Sequence, residues 1–301
     1  MNFARLVNPL IMLAAAAFAP AAWAQEGRGD VVYVPTPQVA VDEMLKMAKV
    51  GPNDYIIDLG SGDGRIVITA AKKFGARGFG VDLDTYLLKI ANASASKEGV
   101  ADRAQFIEQN LFETDLSKAT VITTYLLPEM NERLRPKLLA LKPGTRVVAH
   151  DYDMGNWLPD EQKTLIVPEK KVGDPGKSYV FFWVVPAQVA GTWQSQVNVG
   201  GKPVAYEFTL AQEFQMLEGS GQAGGQGGVV KGRMEGTQVR FTLSGKPGEG
   251  PARHEFQGRV TSDDAIEGVV HVGEGAKRQQ YPWTAKRTQR APASLAGNVP
   301  Q

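Results

Sequence analysis

The most chemically specific stretch of the chain is Asp58-Leu59-Gly60-Ser61-Gly62-Asp63-Gly64-Arg65. Alternating glycines let a backbone turn tightly and bring its N–H groups close to a ligand. The dinucleotide fingerprint G-x-G-x-x-G demands glycine at position 65, where this chain has Arg65, so that reading fails. The pattern is instead acidic-x-G-x-G-x-G. Asp58 and Asp63 would repel a pyrophosphate and favour a ligand that carries positive charge. A further acid, Asp82, ends the next apolar run, where a carboxylate is placed to accept the hydroxyls of a ribose. His150 is followed by Asp151 and Asp153, a group with the chemistry of a base or a metal ligand. The 3 histidines form neither H-x-x-H nor H-E-x-x-H, so no metal site is expected.

The elements around this loop alternate in type. Tyr55 to Asp58 is a short apolar strand that runs into the loop, and Ile66 to Phe74 is helical beyond it. Gly78 to Asp82, Gln105 to Ile107, Thr120 to Thr123 and Thr145 to Ala149 read as further strands. Helices are expected over Tyr86–Lys97 and over Pro128–Leu141, with Pro128 in the first turn and Pro143-Gly144 after the last. Upstream, Thr36-Pro37 before Val39, Val41, Met44, Leu45 and Ala48 reads as an N-capped amphipathic helix. Thr164–Val167 and Ser178–Val185 have no helix between them and should form a hairpin on the sheet's edge. The expectation is an α/β unit with a doubly wound, Rossmann-like sheet of seven strands, the last two a hairpin.

Past Val185-Pro186-Ala187 the pattern changes. Eight short alternating segments (192–199, 205–210, 213–217, 229–234, 238–243, 254–260, 265–272 and 281–285) are separated by glycine-rich turns, among them the patch Gly219–Gly228. A small all-β sandwich or barrel is expected over 187–290, with a flexible tail at 291–301. At the other end, Arg5, the apolar run Leu10–Ala19 and Ala22-Trp23-Ala24 have the layout of a secretory signal peptide over residues 1–24. The unit between, 25–186, carries the glycine loop.

Composition narrows the classes. With 33 basic against 32 acidic side chains, the chain lacks the charge of a nucleic-acid binder. It has no cysteine, which excludes disulfide scaffolds, thiol catalysis and Cys-ligated zinc, and tolerates an oxidising compartment. Export to the periplasm after cleavage behind Ala24 is expected, with no membrane span kept; an uncleaved anchor and a cytoplasmic enzyme are the alternatives. Nothing in the sequence sets the oligomeric state.

The glycine loop with its acid, the upstream Tyr33-Val34-Pro35-Thr36-Pro37 and the strand-end Asp82 together resemble the class I S-adenosylmethionine-dependent methyltransferases. Within them, the first two stretches are most similar to a seven-strand protein-lysine methyltransferase family with mitochondrial and bacterial members. The resemblance covers roughly residues 30–185 and implies S-adenosyl-L-methionine as cofactor. It places Gly60, Gly62 and Gly64 against the methionine half, Asp58 at the loop and the ammonium, and Asp82 on the ribose. Asn110 stands where the family usually has an aspartate for the adenine amine, and departs from that pattern. Tyr33, Thr36 and Tyr125 would line the channel of the methyl acceptor, a protein lysine or a small molecule. The other reading is a non-catalytic binding module of the same fold whose β domain engages an envelope partner.

Overall fold

The computed structural model describes residues 32–245, 253–273 and 275–291. The expected signal peptide and all but the first residue of the expected tail lie outside these residues. After a helix α1 (Gln38–Met47) come β1 (Tyr55–Leu59), α2 (Arg65–Phe74), β2 (Arg77–Asp82), α3 (Thr85–Lys97), β3 (Ala104–Glu108), β4 (Val121–Thr124), α4 (Pro128–Leu139) and β5 (Arg146–His150). A hairpin of β6 (Glu161–Val167) and β7 (Gly176–Val184) completes a seven-stranded sheet in the order β3-β2-β1-β4-β5-β7-β6. The first five are parallel; β7 runs antiparallel to β5 and to β6.

Alternation explains the two-sided core. Ile56, Val121 and Val148 face α1 and α2, against Val41, Met44, Leu45 and Ile66. Their neighbours Ile57, Ile122 and Val147 face Leu134 and Leu138 of α4 together with Trp157 and Trp183. Successive strand residues point to opposite faces, so buried central strands read as unbroken apolar runs. Reversal of the strand order between β1 and β4 leaves a crevice at their carboxyl ends.

One local expectation fails instructively. Thr36 does not cap α1: Pro37 takes the N-cap position and no side chain caps it. The Thr36 hydroxyl instead pairs with His150 Nδ1 at 3.3 Å, tying the segment before α1 to the end of β5.

The second unit is a closed barrel of eight antiparallel strands: β8 (Gly191–Val199), β9 (Lys202–Glu213), β10 (Met216–Ala223), β11 (Gln226–Glu235), β12 (Gln238–Ser244), β13 (His254–Ser262), β14 (Ala265–Val272) and β15 (Gln279–Arg290). Each strand pairs with the next, and β15 returns to β8. Trp193, Tyr206, Phe208, Phe241, Phe256 and Trp283 fill the interior, so the barrel is a packed core. Outward positions such as Gln194, Arg240, Gln257, Glu267 and Lys286 are exposed, the inverse of a lipid-facing wall. Residues 213–217, expected as a strand, form the β9–β10 turn and the start of β10. The patch Gly219–Gly228, expected as a turn, is mostly the β10–β11 hairpin. Its interior positions are glycine because bulky neighbours occupy the space: a Cβ on Gly221 would stand 2.8 Å from the Phe208 ring. No apolar alternation survives there to be read.

The barrel grips the first unit through that same turn. Phe214, at φ 51°, is buried in the first unit's core, stacked on Trp157 with centroids 6.3 Å apart and lying 5.7 Å from the Arg135 guanidinium. Aromatic residues rarely adopt such a φ; burial of the ring holds it. Gln215 Nε2 donates to the Leu158 carbonyl at 2.7 Å, and Arg233 pairs with Asp160 at 2.5 Å. Phe214→Ala is expected to lower the unfolding free energy by about 3–5 kcal/mol. Urea denaturation followed by tryptophan fluorescence reads this, and an unchanged midpoint would refute the plug.

Candidate active site

A cleft of about 270 Å³ opens at the carboxyl ends of β1, β2 and β4. Its wall carries Tyr33, Thr36, Asp58, Gly60, Ser61, Asp63, Arg65, Asp82, Asn110 and Tyr125. Seven of the nine residues singled out from the sequence therefore meet in one place. Gly62 and Gly64 stand behind the wall: a Cβ on Gly62 would lie 2.4 Å from the Tyr33 ring, and one on Gly64 2.5 Å from the Phe106 ring.

The loop takes its shape from left-handed backbone at Gly60 (φ 78°), Gly62 (φ 52°) and Gly64 (φ 80°). Asp82 braces it, with Oδ2 accepting from the Gly62 N–H at 2.8 Å and Oδ1 from the Asp84 N–H at 2.9 Å. Capping of α3 falls to Asp84, which accepts from the N–H groups of Tyr86 and Leu87. Asp82 is thus left at the cleft with lone pairs for a ligand's hydroxyls. Gly64 opens α2 with no side-chain cap. A helix start of this kind adds partial positive charge and N–H donors to a site.

Asp58 is 2% exposed and accepts one side-chain hydrogen bond, from the Thr123 hydroxyl at 2.6 Å. Burial, reinforced by the charges of Asp82 and Asp63, pushes its carboxyl up to about 7. Asp63 behaves differently. Burial works against its charge, but the fork of Arg65 at 2.6–3.1 Å overcomes this and holds the carboxyl below its usual range. Arg65 also donates to the Thr36 carbonyl at 2.8 Å, which lashes segment 32–37 across the loop. Burial and the Asp63 charge push the Tyr33 phenol up to about 12.

On the acceptor side, Tyr125 is tilted on His150 with centroids 4.1 Å apart. Its hydroxyl donates to Asp151 Oδ2 at 3.1 Å. Burial and the Asp151 charge raise its pKa, so it stays a phenol. His150 is fully buried between Thr36 and Ser178, whose Oγ lies 3.0 Å from Nε2. Burial holds its pKa down at about 4, which makes it a neutral strut. At the opposite end Asn110 forms an Asx turn, its Oδ1 accepting from the Phe112 N–H at 3.0 Å. Among the described residues no cluster of His, Asp or Glu has the makings of a metal site.

Sequence reasoning missed Thr123, Ser178 and Lys170 as partners of site residues. None has a local signal, because each meets its partner only through strand pairing or a loop far along the chain.

These features fit S-adenosylmethionine: carboxylates for its positive charge and its ribose, a glycine loop for close backbone approach, and on the cleft wall the buried Ser61 hydroxyl, which has no partner among the described residues. Sheet order and cleft together define a class I S-adenosylmethionine-dependent methyltransferase. Residues 58–161 match the ANTKMT methyltransferase domain. Over 133 residues the chain is 49% identical to a protein-lysine N-methyltransferase of Saccharolobus islandicus, covering 44% of this chain and 83% of that one. It belongs to the family of that enzyme. An adenine nucleotide translocase lysine N-methyltransferase of Mus musculus is 31% identical, and here the match spans 58% of the relative and 44% of this chain. Among solved structures, an RNA methyltransferase of Salinibacter ruber in complex with S-adenosyl-L-homocysteine is 48% identical, with a TM-score of 0.47 over 52% of this chain and 96% of that one.

Proposed function

We propose that the chain transfers a methyl group to the side-chain amine of a protein lysine in the cell envelope. The observation that carries the acceptor class is the 49% identity over 133 residues to a protein-lysine N-methyltransferase. S-adenosylmethionine, when bound, supplies a methyl group on a positively charged sulfur. Asp58, Gly60 and Asp82 would hold it, with Asn110 and Phe112 at the adenine end. Tyr33 and Tyr125 line the same cleft and would border the acceptor. Catalysis is chiefly positioning, since an amine held in line needs no further activation once it has lost its proton.

The envelope assignment rests on the signal-peptide layout of residues 1–24 and the absence of cysteine. Incubating the full chain with methyl-tritiated S-adenosylmethionine and an envelope protein extract should label protein, with the label recovered as methyl-lysine on hydrolysis. Label on RNA alone would overturn the acceptor class. A fusion of residues 1–30 to a reporter active only in the periplasm should be active; a silent fusion would return the enzyme to the cytoplasm.

A further inference from the structure

A buried ion pair lies behind the acceptor side of the cleft, and methyl transfer as described makes no use of it. Asp151 follows β5 with φ 62°. Its Oδ2 receives both the Tyr125 hydroxyl at 3.1 Å and Lys170 Nζ at 2.6 Å, and its Oδ1 accepts from the Tyr179 N–H at 3.1 Å. The Asp151 and Lys170 side chains are 5% and 4% exposed. Lys170 comes from the loop between β6 and β7, where its ammonium also donates to the Lys177 carbonyl. Burying two charges costs desolvation that apolar residues of similar size would avoid, so such a pair is a poor device for stability alone.

We propose that Asp151 and Lys170 are positioning residues that fix the direction of the Tyr125 hydroxyl. This rests on the amine-acceptor reading above. A phenol has one proton, and here it is committed to Asp151, so the oxygen can offer only lone pairs to the cleft. It therefore accepts a hydrogen bond from an N–H of the acceptor amine and orients the nitrogen. The Lys170 ammonium, 2.6 Å from Oδ2, sets an opposite charge against the oxygen that accepts from the phenol. The ring nitrogens of His150 face the Thr36 and Ser178 hydroxyls, and Nε2 also lies 3.4 Å from Asp151 Oδ1, so the ring leaves Oδ2 to the phenol and to Lys170. The deprotonated amine's lone pair forms the new N–C bond. The electrons of the broken C–S bond stay with sulfur, which becomes neutral, and the nitrogen takes the positive charge and loses a proton to solvent. Tyr125 keeps its own proton throughout.

The test is the double variant D151N/K170M in the full chain, which removes both charges together. In that variant the new side-chain amide must turn its carbonyl to the Tyr179 N–H, so its NH2 faces Tyr125 and the hydrogen bond reverses. The readouts are cofactor affinity by calorimetry, methylation of poly-L-lysine, and the Tyr125 Cζ resonance in 13C-tyrosine-labelled protein, assigned with Y125F. Cofactor affinity is expected within twofold of wild type and kcat roughly 10–100-fold lower. The Cζ resonance should begin to titrate at a lower pH in the variant than in wild type, because the Asp151 charge and hydrogen bond that raise the phenol's pKa are gone while its burial is kept. D151E/K170R, which keeps both charges, should recover part of the rate. Unchanged kcat, or an unchanged Cζ titration, would overturn the proposal whatever the acceptor. Wild-type protein that binds cofactor, shows the expected Cζ difference and yet methylates no amine would overturn the amine reading and this inference with it.

Discussion

Gly62→Val is expected to abolish S-adenosylmethionine binding and to leave the sheet folded. Position 62 has φ 52°, a region that costs an L-residue about 1–2 kcal/mol and a β-branched one more. The added Cβ would stand 2.4 Å from Cε2 and 3.0 Å from Cδ2 of Tyr33. Relief comes either by pushing out the 32–37 segment or by tilting the peptide whose N–H donates to Asp82. Both deform the cleft wall, and neither touches the core strands. With about 1.4 kcal/mol per tenfold in affinity, the combined strain corresponds to a loss of at least about 100-fold. Calorimetric titration reads the affinity and a thermal melt reads the fold. In the milder G62A, a second change Y33A should restore part of the binding, because it removes the clash but not the backbone strain. Wild-type affinity in G62V would show that the loop does not hold the cofactor.

The second large effect is a pH dependence with opposite signs for binding and for stability. Burial, then the charges of Asp82 and Asp63, puts the Asp58 carboxyl at about 7, against 3.8 for an unperturbed group. Below 7 the group is neutral. A cationic ligand favours its ionised form, so cofactor affinity should fall as pH drops from 8 to 5, by up to about tenfold per unit below 7. Stability without ligand runs the other way. A carboxyl whose folded pKa lies above its unfolded value binds protons more tightly when folded. Its contribution therefore grows as pH falls from 7 towards 4 and disappears as pH rises through 7. Asp58→Asn should flatten both dependences, and the difference between variant and wild type isolates this group from other carboxylates. Calorimetry and urea titrations at half-unit intervals make the measurement. An affinity slope that survives in D58N would assign it to another group.

Legibility in the sequence followed the range of the interactions. The loop Asp58–Arg65 and the alternation of strands and helices were readable because both are local: an apolar run, glycines that demand left-handed backbone, then an amphipathic helix. Asp82 was readable as a site acid from its place at a strand end, but its grip on the Gly62 N–H was not. Thr36 reads locally as a helix cap; the pull of His150, beside it only in the folded sheet, decided otherwise. The Asp151–Lys170 pair joins a strand end to a loop after the next strand, and no spacing rule connects them. In the β unit, interior glycines beside large rings erased the alternation that would have marked most of β10 and the first residues of β11. Phe214 looked like one more apolar residue of a strand, because a turn that inserts a ring into another domain leaves no periodicity.

The barrel's closure bears on the order in which the molecule becomes complete. Its first and last strands, β8 and β15, are hydrogen-bonded neighbours, so the ring cannot close until β15 is in place. Contacts between such distant segments are slow to form. The first unit, though its own strands come earlier, draws Phe214 from that ring, and Trp157, its stacking partner, lies six residues beyond Asp151. A chain halted short of β15 would hold every residue of the cofactor loop and still lack the closed barrel that carries Phe214.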